Sequence, residues 1–209
     1  MHGDRARLLP PRAGPLGGTA KVQRYTAELG SYAPLGQLGG TKPGSQPIKF
    51  VLGLTARAGA VFGNTGPFFY PQQFALGGTQ FGEQLRGYEE FSITPSAGYL
   101  GGTNSYSARR ESFGSAFFTT TAEAGMRVNQ NLYMNVFFDA GNIWHRPRDF
   151  NPTRLLRGTG VGLATITPLG PLGIDFGYGL DRTKPDPNNL ARQVPDPRWQ
   201  IHFKLGQLF

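Results

Sequence analysis

The sequence predicts an all-β fold, an antiparallel transmembrane β-barrel present in part, and three observations carry that prediction. Apolar residues recur at every second position through several segments, the trace of strands with two unlike faces. No apolar run approaches the roughly 20 residues that a membrane-spanning helix needs. Short and long connections alternate along the chain, as they do when one rim of a barrel carries tight turns and the other carries loops.

The elements follow in order. Residues 1–19 are basic and Pro-rich with no apolar core, so they direct no export. They read as an irregular leader or the remnant of an outer loop, and 20–209 as barrel. A barrel without an export signal implies that the natural chain begins upstream of Met1. Residues 21–32 are a weak strand. Over 48–62 every even position is apolar, while Lys49, Thr55 and Arg57 take the odd face. A long connection, 63–114, follows. Strands at 115–128 and 132–145 place Phe118, Met126, Val136 and Phe138 on one side and Glu123, Arg127, Asn135 and Asp139 on the other. A tight turn at 129–131 joins them. Residues 156–167 are so Gly-rich that their facing is ambiguous. After a Pro corner at 168–171, Leu172, Ile174, Phe176, Tyr178 and Leu180 oppose Gly173, Asp175, Gly177, Gly179 and Asp181. The segment 198–209 is the clearest. Trp199, Ile201, Phe203, Leu205 and Phe209 share one face; Arg198, Gln200, His202 and Lys204 share the other. Six or seven strands result, fewer than the eight of the smallest membrane barrels, so the barrel is partial.

Composition excludes several classes. Charged residues make up 16% of the 209 and aromatics 12%, too few and too many for a disordered chain. With no cysteine there are no disulfides, thiolate metal sites or cysteine nucleophiles. The net charge of +8 is scattered over loops and strand faces instead of forming a nucleic-acid-binding run, and suits lumen and loop charges near anionic lipid. A soluble sandwich also alternates, but its connections would not separate into a short set and a long set. His2, His145 and His202 lack the spacing of a triad or a metal site. The stretch 158–162 is Gly-rich without a following helix and is no phosphate loop. The Asp- and Asn-bearing connection 181–197 is a solvated loop, with a calcium site as the alternative. No enzyme, cofactor or metal is expected.

The segment Phe69-Tyr-Pro-Gln-Gln-Phe-Ala-Leu-Gly-Gly-Thr-Gln-Phe-Gly-Glu-Gln-Leu-Arg-Gly-Tyr88 resembles the large-loop motif of the BamA family of outer-membrane protein assembly factors. The resemblance continues through Ala122-Glu-Ala124, Phe137-Phe-Asp-Ala-Gly-Asn-Ile-Trp144 and Thr167-Pro-Leu-Gly-Pro-Leu172, and ends on Phe209. It covers the chain from about Lys21 onward.

That resemblance implies a barrel of roughly sixteen strands preceded by periplasmic POTRA domains, of which this chain looks like the last seven strands. It implies an insertase that folds other barrels into the outer membrane through a weak seam between first and last strands. The partners implied are unfolded β-barrel proteins, accessory lipoproteins reached through the POTRA domains, and outer-membrane lipid and lipopolysaccharide. It also implies that the long loop folds back into the lumen, where Arg86 meets acidic residues. The period places Glu123 and Asp139 on the inward faces. The alternative is a solvated Arg86, with Glu123 paired to Arg127. Gly87 would let the loop pack closely and Tyr88 would plug against the wall. Trp199, Ile201, Phe203, Leu205 and Phe209 would form one side of the seam and the signal by which the chain itself is inserted, or serve as ordinary interface anchors. Two-partner secretion transporters and TamA-like translocases share the loop motif; a passive porin or adhesive barrel is the reading of a different class.

Overall fold

Residues that alternate along the sequence become the two faces of one antiparallel sheet. The computed structural model describes residues 3–9, 22–40, 46–63, 72–96, 98–100, 110–168 and 170–205. Eight strands, β1 (Gly3–Leu9), β2 (Val22–Leu38), β3 (Ile48–Gly63), β4 (Ala116–Arg127), β5 (Leu132–Trp144), β6 (Leu156–Thr167), β7 (Gly170–Gly179) and β8 (Arg198–Leu205), pair with their chain neighbours in that order. The sheet is the wall of a partial barrel, with β1 and β8 at its two edges.

The sequence reading is corrected at one end. Gly3–Leu9 is no irregular leader: it pairs with β2 in register from Gly3 opposite Tyr32 to Leu9 opposite Thr26. The wall therefore has eight strands where six or seven were expected. Ladder hydrogen bonds join backbones whatever the side chains, and a short basic segment leaves little periodic signal. Strand β2 is also longer than expected and carries a bulge between Pro34 and Gly36.

The outward face is apolar: Leu54, Val136, Phe138, Val161, Leu163, Phe176, Trp199, Ile201, Phe203 and Leu205 are all exposed. Facing in the Gly-rich β6 is settled by its neighbours. Val161 and Leu163 point outward, and Gly158 and Gly162 lie on the buried inner face. At the rim that carries the long connections, Tyr178 lies against Trp199 (5.2 Å) and Trp144 against Phe150 (4.9 Å), the aromatic level of a membrane interface.

The core lies inside the wall. Residues 72–96 and 98–100 of the long connection fold onto the concave face, where Phe74, Leu76, Leu85, Tyr88, Ile93 and Tyr99 bury themselves against Val61, Phe117 and Ile143. Two small ladders brace this insert, Phe74–Ala75 with Phe113–Gly114 and Ile93–Thr94 with Gly98–Tyr99.

Register fixes which backbone groups face the open edge. Leu180 N–H donates to the Arg157 carbonyl across β6 and β7, so Arg157 and Leu180 are a hydrogen-bonded pair. Pairs of this kind alternate. The odd residues of β7 thus turn their backbone groups to β8, where they meet Arg198, Gln200, His202 and Lys204. Trp199, Ile201, Phe203 and Leu205 direct theirs to the open edge.

Candidate functional site

The inner insert is shaped by a carboxylate and two glycines before any contact with the wall. Glu90 accepts the backbone N–H groups of Thr79, Gln80 and Phe81 at 2.6, 2.9 and 3.1 Å. Gly77 and Gly78 make the approach possible. Both have positive φ (119° and 70°), and a Cβ on Gly78 would land on the Glu90 carboxylate.

Beyond this turn the chain delivers Arg86 to the wall. Its guanidinium is a two-pronged donor to Asp139 of β5, Nε to Oδ2 at 2.7 Å and Nη2 to Oδ1 at 2.8 Å. Nη1 donates to Glu123 Oε2 of β4 at 3.2 Å and lies 3.6 Å from Asp175 Oδ2 of β7. The Phe137 ring lies beneath, 3.4 Å from the guanidinium carbon. Each acid has a second partner: Thr121 donates to Asp139 at 2.9 Å, Tyr133 to Glu123 at 2.9 Å, and Lys204 pairs with Asp175 at 2.5 Å. Burial works against the Arg86 cation, but Asp139, Asp175 and Glu123 outweigh it and raise its pKa above the ordinary value. Arg86 is therefore held in its charged form.

The next two residues press on β6, β7 and β8. Gly87, at φ 92°, donates its N–H to His202 Nε2 at 3.0 Å. Its backbone lies so close to β7 that a Cβ on Gly87 would sit 2.7 Å from the Gly179 nitrogen. The wall is cut away to match. A Cβ on Gly158 would strike the Arg86 carbonyl, and one on Gly177 would strike the Gly87 nitrogen. Tyr88 is fully buried, and its hydroxyl donates to the Arg157 carbonyl at 2.8 Å while accepting Asp181 N–H at 3.2 Å. Burial pushes its pKa above the usual phenol range.

A second clasp closes from the outer side. Arg182, buried in the connection after β7, donates to the Gly87 carbonyl at 3.3 Å and pairs with Glu89, which also accepts from the Tyr99 hydroxyl at 2.8 Å. The other acids of this connection already have partners: Asp181 with Arg157, Asp186 with the Asn188 N–H, and Asp196 with Lys184 and Arg198.

This arrangement joins an inward-folded loop, an Arg-Gly-Tyr tip and a facing acid on the barrel wall. Residues 8–209 match the Omp85 superfamily domain. The chain belongs to the Omp85 superfamily. Its strands are those of an outer-membrane β-barrel, and the superfamily works in protein insertion and translocation at that membrane without enzymatic chemistry. No curated protein matches the chain.

Of the Omp85 site residues expected from sequence, the structure brings together Arg86, Gly87, Tyr88, Glu123 and Asp139. Arg127 instead donates to the Gln130 carbonyl at 3.1 Å. Trp199, Ile201, Phe203 and Leu205 line β8 with exposed side chains, and Phe209 lies outside the described residues. Asp175, Phe137, His202, Arg182 and the Gly158/Gly177 recess belong to the same site, beyond the residues expected there. Inward parity marks Asp175 and His202 in the sequence. Nothing local marks Arg182, which is 95 residues from its partner Gly87.

Proposed function

We propose that this chain forms the loop-locked, seam-bearing part of a BamA-like insertase, which folds β-barrel proteins into the outer membrane. The open edge of β8 carries the reading. Trp199, Ile201, Phe203 and Leu205 turn both their backbone groups to that edge and their side chains to the lipid side. An unpaired N–H or C=O in hydrocarbon costs several kcal/mol. A strand that adds there and satisfies a row of them is strongly favoured, and its alternate side chains continue the apolar outer face. No bond of the substrate changes. The Arg86 cluster contributes rigidity, since it ties the loop to β4, β5 and β7 while the edge is left to exchange partners.

On this reading the substrates are unfolded barrel proteins, delivered with the help of accessory lipoproteins and POTRA domains, and the outer face meets lipid and lipopolysaccharide. A translocase of the same superfamily is the second reading. It needs polypeptide to pass through the lumen, where residues 72–96 and 98–100 sit.

Site-specific photocrosslinking in cells separates the two. A crosslinking residue at Ile201, on the lipid side of the edge, is expected to capture unfolded barrel precursors, and one at the lumen-facing Thr55 to capture none. Capture at Thr55 in place of Ile201 selects the translocase; silence at both positions rules out strand addition and lumenal passage together.

A further inference from the structure

The large loop touches two consecutive residues of β8. On the inner face His202 accepts the Gly87 N–H at 3.0 Å. At the edge the Phe203 carbonyl accepts a hydrogen bond from the side-chain amide of Gln80, Nε2 to O at 3.2 Å. Phe203 is one of the four residues whose backbone groups face the open edge. Gln80 therefore occupies an acceptor that a neighbouring strand would use.

The side chain is also aimed in advance. The Glu90 carboxylate holds the N–H of Gln80 itself and those of Thr79 and Phe81 on either side. Six residues further on, Arg86 anchors the same insert to Asp139. A loop fixed at both points presents one amide to one carbonyl.

We infer that Gln80 is a latch on the seam strand. Its amide competes with an incoming strand for the Phe203 carbonyl, and pairing past Ile201 requires Gln80 to let go. The inference rests on strand addition at β8 as proposed above. It adds that the Omp85 loop, besides stiffening the wall, controls entry to the edge. One hydrogen bond suits that task, because it blocks pairing without making the block permanent.

The test uses the full-length protein that carries this segment, in its own outer-membrane vesicles. Benzoylphenylalanine replaces Phe203, which keeps the carbonyl and an outward aromatic. The probe is a synthetic peptide with the sequence of residues 198–209, a second copy of the seam strand. Gln80→Leu is expected to raise the crosslink yield roughly three- to ten-fold, the weight of one hydrogen bond. Gln80→Glu, which sets a carboxylate against the carbonyl, is expected to raise it at least as much. Equal yields in all three proteins, or a fall in the variants, would overturn the latch and leave strand addition standing. No crosslink from any of them would overturn strand addition itself. Protease protection of the loop is read in the same vesicles; if both substitutions abolish it, Gln80 is a structural residue and the latch is wrong.

Discussion

Arg86 is a buried cation held by three carboxylates, so the consequence of removing it is set mainly by what remains. Breaking a buried pair by deleting one partner costs about 3–5 kcal/mol, because the other charges stay in place. Arg86→Ala is expected to release the loop, seen as rapid protease cleavage within 63–114 in intact cells and a lower folded fraction of other outer-membrane barrels. Arg86→Lys should fall between, since an ammonium cannot reproduce the fork to Asp139. Arg148→Ala should change neither readout, because that side chain is 72% exposed and lies 3.8 Å from Asp149. Cleavage as slow in Arg86→Ala as in wild type would show that the lock is not needed. The glycines give an independent check. Gly158→Ala is expected to expose the loop nearly as much as Arg86→Ala, because its methyl group meets the fixed Arg86 carbonyl. Gly173→Ala lies on the same inner face, yet its nearest neighbour is the Lys204 Cβ at 3.4 Å, so it should be tolerated. Equal loop protection in the two glycine variants would contradict the recess.

At the scale of elements, residues 72–96 and 98–100 behave as a small core built inside the wall. It contains one buried acid that works against the fold at neutral pH. Burial raises the Glu83 pKa above the ordinary glutamate value, opposed by Arg57, 2.8 Å away, and by Arg24. The sign follows from linkage: a group with a raised folded-state pKa contributes stability that is full below its unfolded pKa and is lost as pH rises through the folded one. Protection of the loop is therefore expected to weaken as pH climbs above the ordinary glutamate range, and Glu83→Gln should flatten that part of the profile. An unchanged slope in Glu83→Gln would assign the dependence to another group. The elements themselves were readable to different degrees. Alternation located β3, β4, β5, β7 and β8 with their faces. It located β6 but left its facing open, because the glycines that form the recess remove the side chains from which facing is read. It missed β1, whose pairing with β2 rests on backbone hydrogen bonds.

For the whole molecule the open edges decide. Eight strands equal the smallest membrane barrel, yet the described ladders run from β1 to β8 without joining the two. Edge groups of β1 and β8 that lack a ladder partner among the described residues favour association with another strand in an apolar medium. The 209-residue chain alone is expected to run in detergent as associated species and to lack a heat-modifiable monomer on unheated gels. A monodisperse, protease-resistant monomer would show that β1 and β8 can close.

Spacings along the chain are enough to define the class of the molecule and to point to Arg86 and its acids. Period-two alternation, the absence of a helical span and the alternating connections define a membrane barrel, and the inward parity of Glu123 and Asp139 supplies acids for Arg86 once the loop motif is recognised. These signals are local, written in spacings of a few residues. Folding supplied what depends on residues far apart in the chain. It set Asp175, His202 and Arg182 around the loop tip, shaped the glycines of β6 and β7 to receive its backbone, and brought the Gln80 amide to the Phe203 carbonyl across 123 positions. Such contacts leave no periodic trace, because a hydrogen bond between distant residues constrains one atom on each partner and nothing in the sequence between them.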